Sequence, residues 1–374
     1  MSVICRDILQ ELDKLAPRHL SEPWDNVGLL LGDPAQKIQK IMIALDVDQS
    51  LVNEAIAANV DLIIAHHPLI FRGLTSIRTD SSQGRVLAGL IKAGIAVCAA
   101  HTNLDSAPGG VNDVLAQKLA LTGTRPLTKV YQEQLHKLVV FVPATHLDQV
   151  REAITEAGAG HIGNYYSHCT FQTQGTGTFL PLTATQPFIG QQGRLEFVDE
   201  CRLETVFPAA VRLPIITAML AAHPYEEVAY DEYLLLNKGK SYGLGRVGCL
   251  VTPMGLEPFI RHVKTALHIN SVKVAGSAAG QMIGTVAVCG GSGASLIQEA
   301  IAAGADILVT GDVKYHEAQQ AAAEGLTIVD AGHFATEQPV VGFLADYLQH
   351  CSKKNLWNVT VIGNNSNKDV FTIC

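Results

Sequence analysis

Basic runs are missing from this chain. Its 374 residues carry 27 Lys+Arg against 35 Asp+Glu, a net charge of −8, and nowhere do four basic residues stand together. A protein that holds nucleic acid through its phosphates needs a basic stripe, so that partner class is excluded. Long apolar runs are missing too. A membrane span needs about 18 uninterrupted apolar residues, and the best stretch, 87–100, is broken by Gly89, Lys92 and Gly94. The opening residues, MSVICRDILQELDKL, place charges at Arg6, Asp7, Glu11, Asp13 and Lys14, where a secretion signal would be apolar. They read as an amphipathic helix with Ile4, Ile8, Leu12 and Leu15 on one face. CxxC pairs are absent, and the eight cysteines (Cys374 among them) are scattered. A chain of this length does not depend on disulfides, so reduced thiols and a cytoplasmic location are expected. With 48% hydrophobic and 17% charged residues, there is material for sizeable cores and too little charge for a disordered chain.

What the sequence does contain is an internal repeat. EAIAANVDLI at positions 54–63 reappears as EAIAAGADIL at 299–308. Short β-branched runs precede each copy (41–45 and 285–289). Each helix leads into another apolar run, 62–65 and 307–309, and a further strand follows at 94–100 and 326–330. Strands alternating with helices predict βαβ units and parallel sheet. Between the halves the pattern changes to β-α-β-β-α-β: strands at 135–142, 165–173, 202–207 and 228–236, helices at 146–157 and 209–222. That order is ferredoxin-like. The expected fold is therefore α/β: a two-lobed core of related βαβ-type halves (1–128 and 238–374) with an inserted ferredoxin-like α+β domain at 129–237.

In open α/β sheets, ligands bind beyond the carboxyl ends of the strands. After the strand at 62–65 come His66, His67 and Pro68. After 94–100 comes His101-Thr102-Asn103-Leu104-Asp105. After 307–310 come Gly311 and Asp312, then Lys314, Tyr315 and His316. After 326–330 comes His333-Phe334-Ala335-Thr336-Glu337. HxxxD in one half thus answers HxxxE in the other. Imidazoles with carboxylates suit zinc, iron or manganese, whereas calcium would take oxygen alone. The donors outnumber the needs of one tetrahedral ion, and a carboxylate can bridge two ions in the usual hydrolytic arrangement. Pro339 is favoured in a first helical turn, which sets Glu337 near a helix N-terminus. His101 reads either as a donor or as a residue that orients one from behind. Lys314 and His316 read either as phosphate or proton-transfer groups or as solvated residues opening a helix. Trp24-Asp25-Asn26 is expected to be a turn closing over the core in preference to a substrate contact. Gln172–Phe179, QTQGTGTF, is expected to be a strand-to-strand turn in preference to a phosphate cradle. The His223-Pro224-Tyr225-Glu226-Glu227 turn is expected to connect a helix to a strand in preference to binding an effector.

The segments WDNVGLLLG (24–32), IIAHHPLIF (63–71), HTNLD (101–105), TGDVKYHEA (310–318) and DAGHFATE (330–337) resemble the signature blocks of the Nif-three-like dinuclear metal-centre family, whose bacterial members are often labelled GTP cyclohydrolase 1 type 2 homologues. The insert, with HPYEEVAYDEYLLL at 223–236, resembles the PII-like or CutA-like domain of the longer members. The resemblance implies metal ligation by His66, His67, Asp105, His333 and Glu337, with Glu337 bridging two divalent ions per chain (zinc, iron or manganese). It also implies a ring-shaped homohexamer whose cavity the metal sites face. Two functions compete at this point. One is a metal-dependent hydrolase of a nucleotide or another small phosphorylated or cyclic substrate. The other is a non-catalytic metal-dependent regulatory protein with the insert as sensor. No Walker-type phosphate loop is present, and the CxxC and Cys/His ligand set of zinc cyclohydrolases is absent.

Overall fold

The run LIIA at Leu62–Ala65 is buried at every position, as a strand must be when both faces of its sheet are covered. In the computed structural model, which describes residues 3–163, 165–276, 280–364 and 366–372, it pairs in parallel with Lys40–Ala44 on one side and Ala96–Ala99 on the other. Gly28–Leu31 closes that edge antiparallel, and Thr360–Gly363 lies parallel at the other. Residues alternate between two cores. Ile41, Ile43, Leu62, Ile64 and Cys98 pack with the helices Cys5–Leu15 and Pro339–Lys354. Met42, Ile63, Ala65 and Val97 pack with Gln49–Ala57 and Ser82–Ala93. The opening helix buries Cys5, Ile8, Leu9 and Leu12.

The second half repeats this plan. Met282–Ser292, Ile307–Gly311 and Thr327–Asp330 run parallel in that order, with Lys273–Ala275 antiparallel at the far edge. The repeat extends to single hydrogen bonds. Asp61 Oδ2 accepts from the amides of Gln39 (2.7 Å) and Lys40 (2.9 Å). Asp306 Oδ2 accepts from those of Gly284 and Thr285, both at 2.8 Å. Asn59 and Gly304, one residue past each repeated helical stretch, both adopt positive φ, 52° and 73°, the left-handed stop common after helices. Both halves belong to one compact unit, Met1–Tyr131 with Tyr242–Cys374.

The other unit is Gln132–Ser241. Its elements follow the order strand, helix, strand, strand, helix, strand. The central strand Glu196–Pro208 is antiparallel to both Tyr131–Pro143 and Thr170–Phe179. Two sequence expectations fail here. The strand expected at 165–173 runs Thr170–Phe179 instead, so QTQGTGTF is neither turn nor phosphate loop but strand interior. The glycine has a packing reason: a Cβ on Gly177 would come within 1.9 Å of Glu200 Oε2, and Glu200 accepts from the Tyr225 hydroxyl at 2.9 Å. The histidine–proline turn does connect helix to strand. His223 Nε2 meets the Phe141 carbonyl at 3.0 Å, and Glu226 accepts from the Gln186 amide. The seven cysteines among the described residues are free; Cys374 lies outside them. No helix among the described residues is long and apolar enough to cross a membrane.

Candidate metal centre

The chain emerging from each parallel strand delivers one part of the site. His66 and His67 follow Leu62–Ala65. Asp105 lies in the short helix Thr102–Ser106 beyond Ala96–Ala99. His333 and Glu337 open and end the short helix His333–Glu337 beyond Thr327–Asp330. The fold thus gathers at one place all five residues that the family resemblance names. His66 Nε2 lies 3.6 Å from Asp105 Oδ1 and 3.7 Å from Glu337 Oε1. Glu337 Oε2 lies 3.0 Å from Nε2 of both His67 and His333. The two imidazole Nε2 atoms are 3.3 Å apart.

Counted from the backbone, the HxxxD and HxxxE motifs are one residue out of register. Ala100 donates to Ala65 as Ala331 donates to Thr310, so His101 matches Gly332 and Asp105 matches Thr336. His101 therefore caps its short helix, whereas His333 is the first residue within its own and reaches Glu337 one turn on. The similarity between the motifs is chemical, not a shared backbone position.

Outward-facing partners fix each ring. His66 Nδ1 sits 2.8 Å from the Ala100 carbonyl, which can only accept, so that nitrogen carries the proton. His67 Nδ1 is held by Asp46 at 2.7 Å, His333 Nδ1 by Asp312 at 2.7 Å, and His101 Nδ1 by Asp25 at 2.9 Å. In the neutral rings this leaves a bare Nε2 lone pair facing the cluster, the tautomer that a metal ligand requires. Asp25, Asp46 and Asp312 are functional residues that the sequence reading did not find in this role. Asp312 adopts a left-handed φ of 55°, a costly conformation for a residue with a Cβ.

The donor set fits divalent cations. Nε2 of His66 and Oδ1 of Asp105 are buried without a hydrogen-bond partner, and Oε2 of the buried Glu337 faces two imidazole nitrogens, a costly arrangement unless something supplies positive charge between them. Among the described residues, two overlapping groups of donors that share His67 could hold a metal ion: His66, His67 and His101, and His67, His333 and Glu337. In the metal-free protein, protons partly meet this need. Burial opposes charge on His67, yet hydrogen bonds to Asp46 and Glu337 prevail and push it up to about 10. The hydrogen bond to Glu337 lifts His333 to about 9 against its burial. Burial raises Asp105 to about 6, with His66 pulling the other way. Glu337 is held well below its usual range, its burial being overcome by His66, His333 and His67.

Glycine makes the space. A Cβ on Gly291 would stand 2.2 Å from Glu337 Oε1, and one on Gly311 would stand 2.5 Å from the His333 amide nitrogen. Asn112, buried, ties the halves together: it donates to the Asp105 carbonyl and accepts from the Gly290 amide, both at 2.9 Å.

A family model described as Duf34/NIF3 (NGG1p interacting factor 3) matches residues 3–369. The chain belongs to the DUF34/NIF3 family. A Halalkalibacterium halodurans protein named GTP cyclohydrolase 1 type 2 homolog is 46% identical over 365 residues, covering 98% of this chain and 97% of its own. A Bacillus subtilis protein of the same name is 45% identical over 371 residues and 99% of both chains. The crystal structure of a Bacillus cereus protein related to NIF3 matches with a TM-score of 0.93 at 43% identity, covering 100% of this chain and 99% of that one.

The other residues singled out from sequence in this DUF34/NIF3 chain lie around the cluster or apart from it. His101 packs edge-on against His66 and His67, with ring centroids 5.3 and 5.7 Å away. Lys314 caps the helix Tyr315–Ala323 and pairs with Glu317 at 3.8 Å, and His316 packs on Tyr315. Neither bonds to the cluster. The Trp24-Asp25-Asn26 turn departs from expectation. The Asp25 side chain is buried, and burial, which would raise its carboxyl, is overcome by His101 and Thr102, so that it falls to about 2. Trp24 does not close over the core, since its side chain stands in solvent.

Proposed function

We propose that this protein binds two divalent metal ions through His66, His67, Asp105, His333 and Glu337 and uses them to hydrolyse a nucleotide or another small phosphorylated or cyclic substrate. The observation that carries the reading is the convergence of buried donor atoms on His66, Asp105 and Glu337, the first two unpartnered, beside imidazoles whose outer nitrogens are already engaged. When bound, such ions lower the pKa of water and polarise a substrate oxygen.

The chain's own residues do the rest. Asp105 and Glu337 supply two negative charges that offset part of the charge of the bound cations. Asp46, Asp312 and the Ala100 carbonyl hold three imidazoles with Nδ1 turned outward, so that Nε2 of each already faces the cluster and only protons need to leave when the ions enter. His101, with Nδ1 held by Asp25, has Nε2 left to hold or pass a proton beside the cluster. His67 and His333 are partly exposed, while His66 and Glu337 are buried, so a substrate would approach from the side of the first pair. The names borne by the relatives point to guanine nucleotides as the first compounds to screen. The homohexameric ring implied by the family resemblance, and a PII/CutA-like regulatory role for the Gln132–Ser241 unit, belong to the same reading.

Metal-loaded protein assayed against nucleotides and cyclic phosphates tests the proposal. Turnover should track metal content and disappear in Asp105→Ala and Glu337→Ala. Activity that survives both substitutions belongs to a contaminant and removes the hydrolase.

A further inference from the structure

The chain is poor in aromatic residues, 6% overall with only two tryptophans, yet one of the two stands in the open beside the cluster. Trp24 is 58% and Phe71 44% exposed. Their ring centroids lie 5.8 Å apart at 46°, and Trp24 also packs edge-on against His101 at 6.2 Å. His101 in turn touches His66 and His67. The aromatic pair therefore adjoins the metal cluster through a single intervening ring. What sets this pair apart from the chain's other exposed aromatics is its place beside the cluster, where a flat ring bound against it would recover the hydrophobic free energy of the exposed faces.

The pair is held in place. Asp25, adjacent to Trp24, is fixed by the His101 ring and by the Thr102 amide and hydroxyl. Asn26 Nδ2 donates to the Ile70 carbonyl at 2.5 Å, which ties the turn bearing Trp24 to the segment bearing Phe71. That segment belongs to the connection between Leu62–Ala65 and Ser82–Ala93, a long loop directly after two candidate ligands and of the kind that carries function. Two neighbouring aromatic rings on tied segments beside a candidate cation site offer faces to a flat ring whose polar tail reaches the metal.

We propose that Trp24 and Phe71 stack the planar heteroaromatic ring of the substrate, a purine or a ring of similar shape, and so select nucleotides over ring-less phosphate esters. The proposal rests on the reading of the cluster as a hydrolytic metal site and adds the specificity element. Stacking of this kind changes affinity about 5- to 150-fold per ring, and an edge or offset face of either aromatic supports it.

The test uses the full chain, metal-loaded, and GMP as the probe. In Trp357→Phe, Trp24 is the sole indole. GMP should quench its fluorescence to saturation and ribose 5-phosphate should not. By calorimetry, Trp24→Ala should weaken GMP binding at least 10-fold, Trp24→Phe should restore most of the loss, and metal content should be unchanged in each. Equal affinity for GMP and ribose 5-phosphate would overturn the proposal. So would an unaltered GMP affinity in Trp24→Ala, including the case where that variant changes the oligomeric mass and the patch proves to be a contact between copies. Failure of the metal reading shows separately. Quenching by guanosine in protein that takes up no metal would keep the platform and remove the cluster. Full metal content without quenching would do the reverse.

Discussion

Raising the pH should tighten metal binding steeply, because the candidate ligands are already occupied by protons. At pH 7 the metal-free protein carries charged His67 and His333, raised to about 10 and about 9 chiefly by Glu337, Asp46 and Asp312 against the cost of burial. Neither can donate Nε2 to a cation until its proton leaves. Binding at neutral pH therefore releases at least two protons, and the apparent affinity should rise about 100-fold per pH unit between pH 6.5 and 8.5, flattening above about pH 10. Calorimetric titration in two buffers of different ionisation enthalpy counts these protons directly. Linkage gives the metal-free fold the opposite trend. A histidine whose folded pKa exceeds its unfolded 6.5 contributes fully below that value, and the contribution is lost as pH rises through 9 to 10. Metal-free protein should thus lose thermal stability on the alkaline side while loaded protein does not. Release of no protons, with affinity flat from pH 6.5 to 8.5, would refute the claim that His67 and His333 ligate the metal.

Further outcomes follow from other contacts. Asp25→Asn should cost about 2 kcal/mol in urea denaturation, since a buried carboxylate loses charge-assisted bonds to His101 and Thr102. In the wild type that stability is present above about pH 4 and fades as pH falls toward 2, because the folded pKa is depressed. Arg246→Ala should cost about 3–5 kcal/mol, for the buried guanidinium grips both oxygens of Asp113 at 2.7 and 2.9 Å and donates to the carbonyls of Ala107, Gly243 and Gly245. Replacing Gln132–Ser241 by a short Gly/Ser linker should leave a folded core that still takes up metal. The junction residues Tyr131 and Tyr242 have ring centroids only 5.8 Å apart, so closing the gap costs little; circular dichroism and metal analysis of the excised core check this.

Chemistry and strand order pointed to the strand ends, and the family resemblance singled out five residues there. His66, His67, Asp105, His333 and Glu337 follow strands that the repeat identifies as parallel, and parallel strands open their carboxyl ends to one crevice. The orienting carboxylates were not legible, because Asp25, Asp46 and Asp312 lie on three separate loops and only tertiary packing brings each to an Nδ1. Gly291, in the run CGGSG, was not read from the sequence, because its role depends on Glu337, which arrives from a distant segment. The motif register failed for a similar reason. A side-chain pattern such as His-x3-acid says nothing about which residue begins the helix, and the Ala65–Ala100 and Thr310–Ala331 hydrogen bonds decide that. In the insert, glycines inside QTQGTGTF mimic a turn, whereas in the strand the Glu200 carboxylate occupies the place where a Cβ on Gly177 would stand.

The most direct measurement is the metal content of the whole chain by elemental analysis after saturation with zinc, iron or manganese, paired with anomalous diffraction to locate the ions. The expected result is two ions per chain on either side of the Glu337 carboxylate, with occupancy of both lost in Glu337→Ala. Saturation at one ion, or full occupancy persisting when His66, His67 and Glu337 are replaced together, would contradict the dinuclear account.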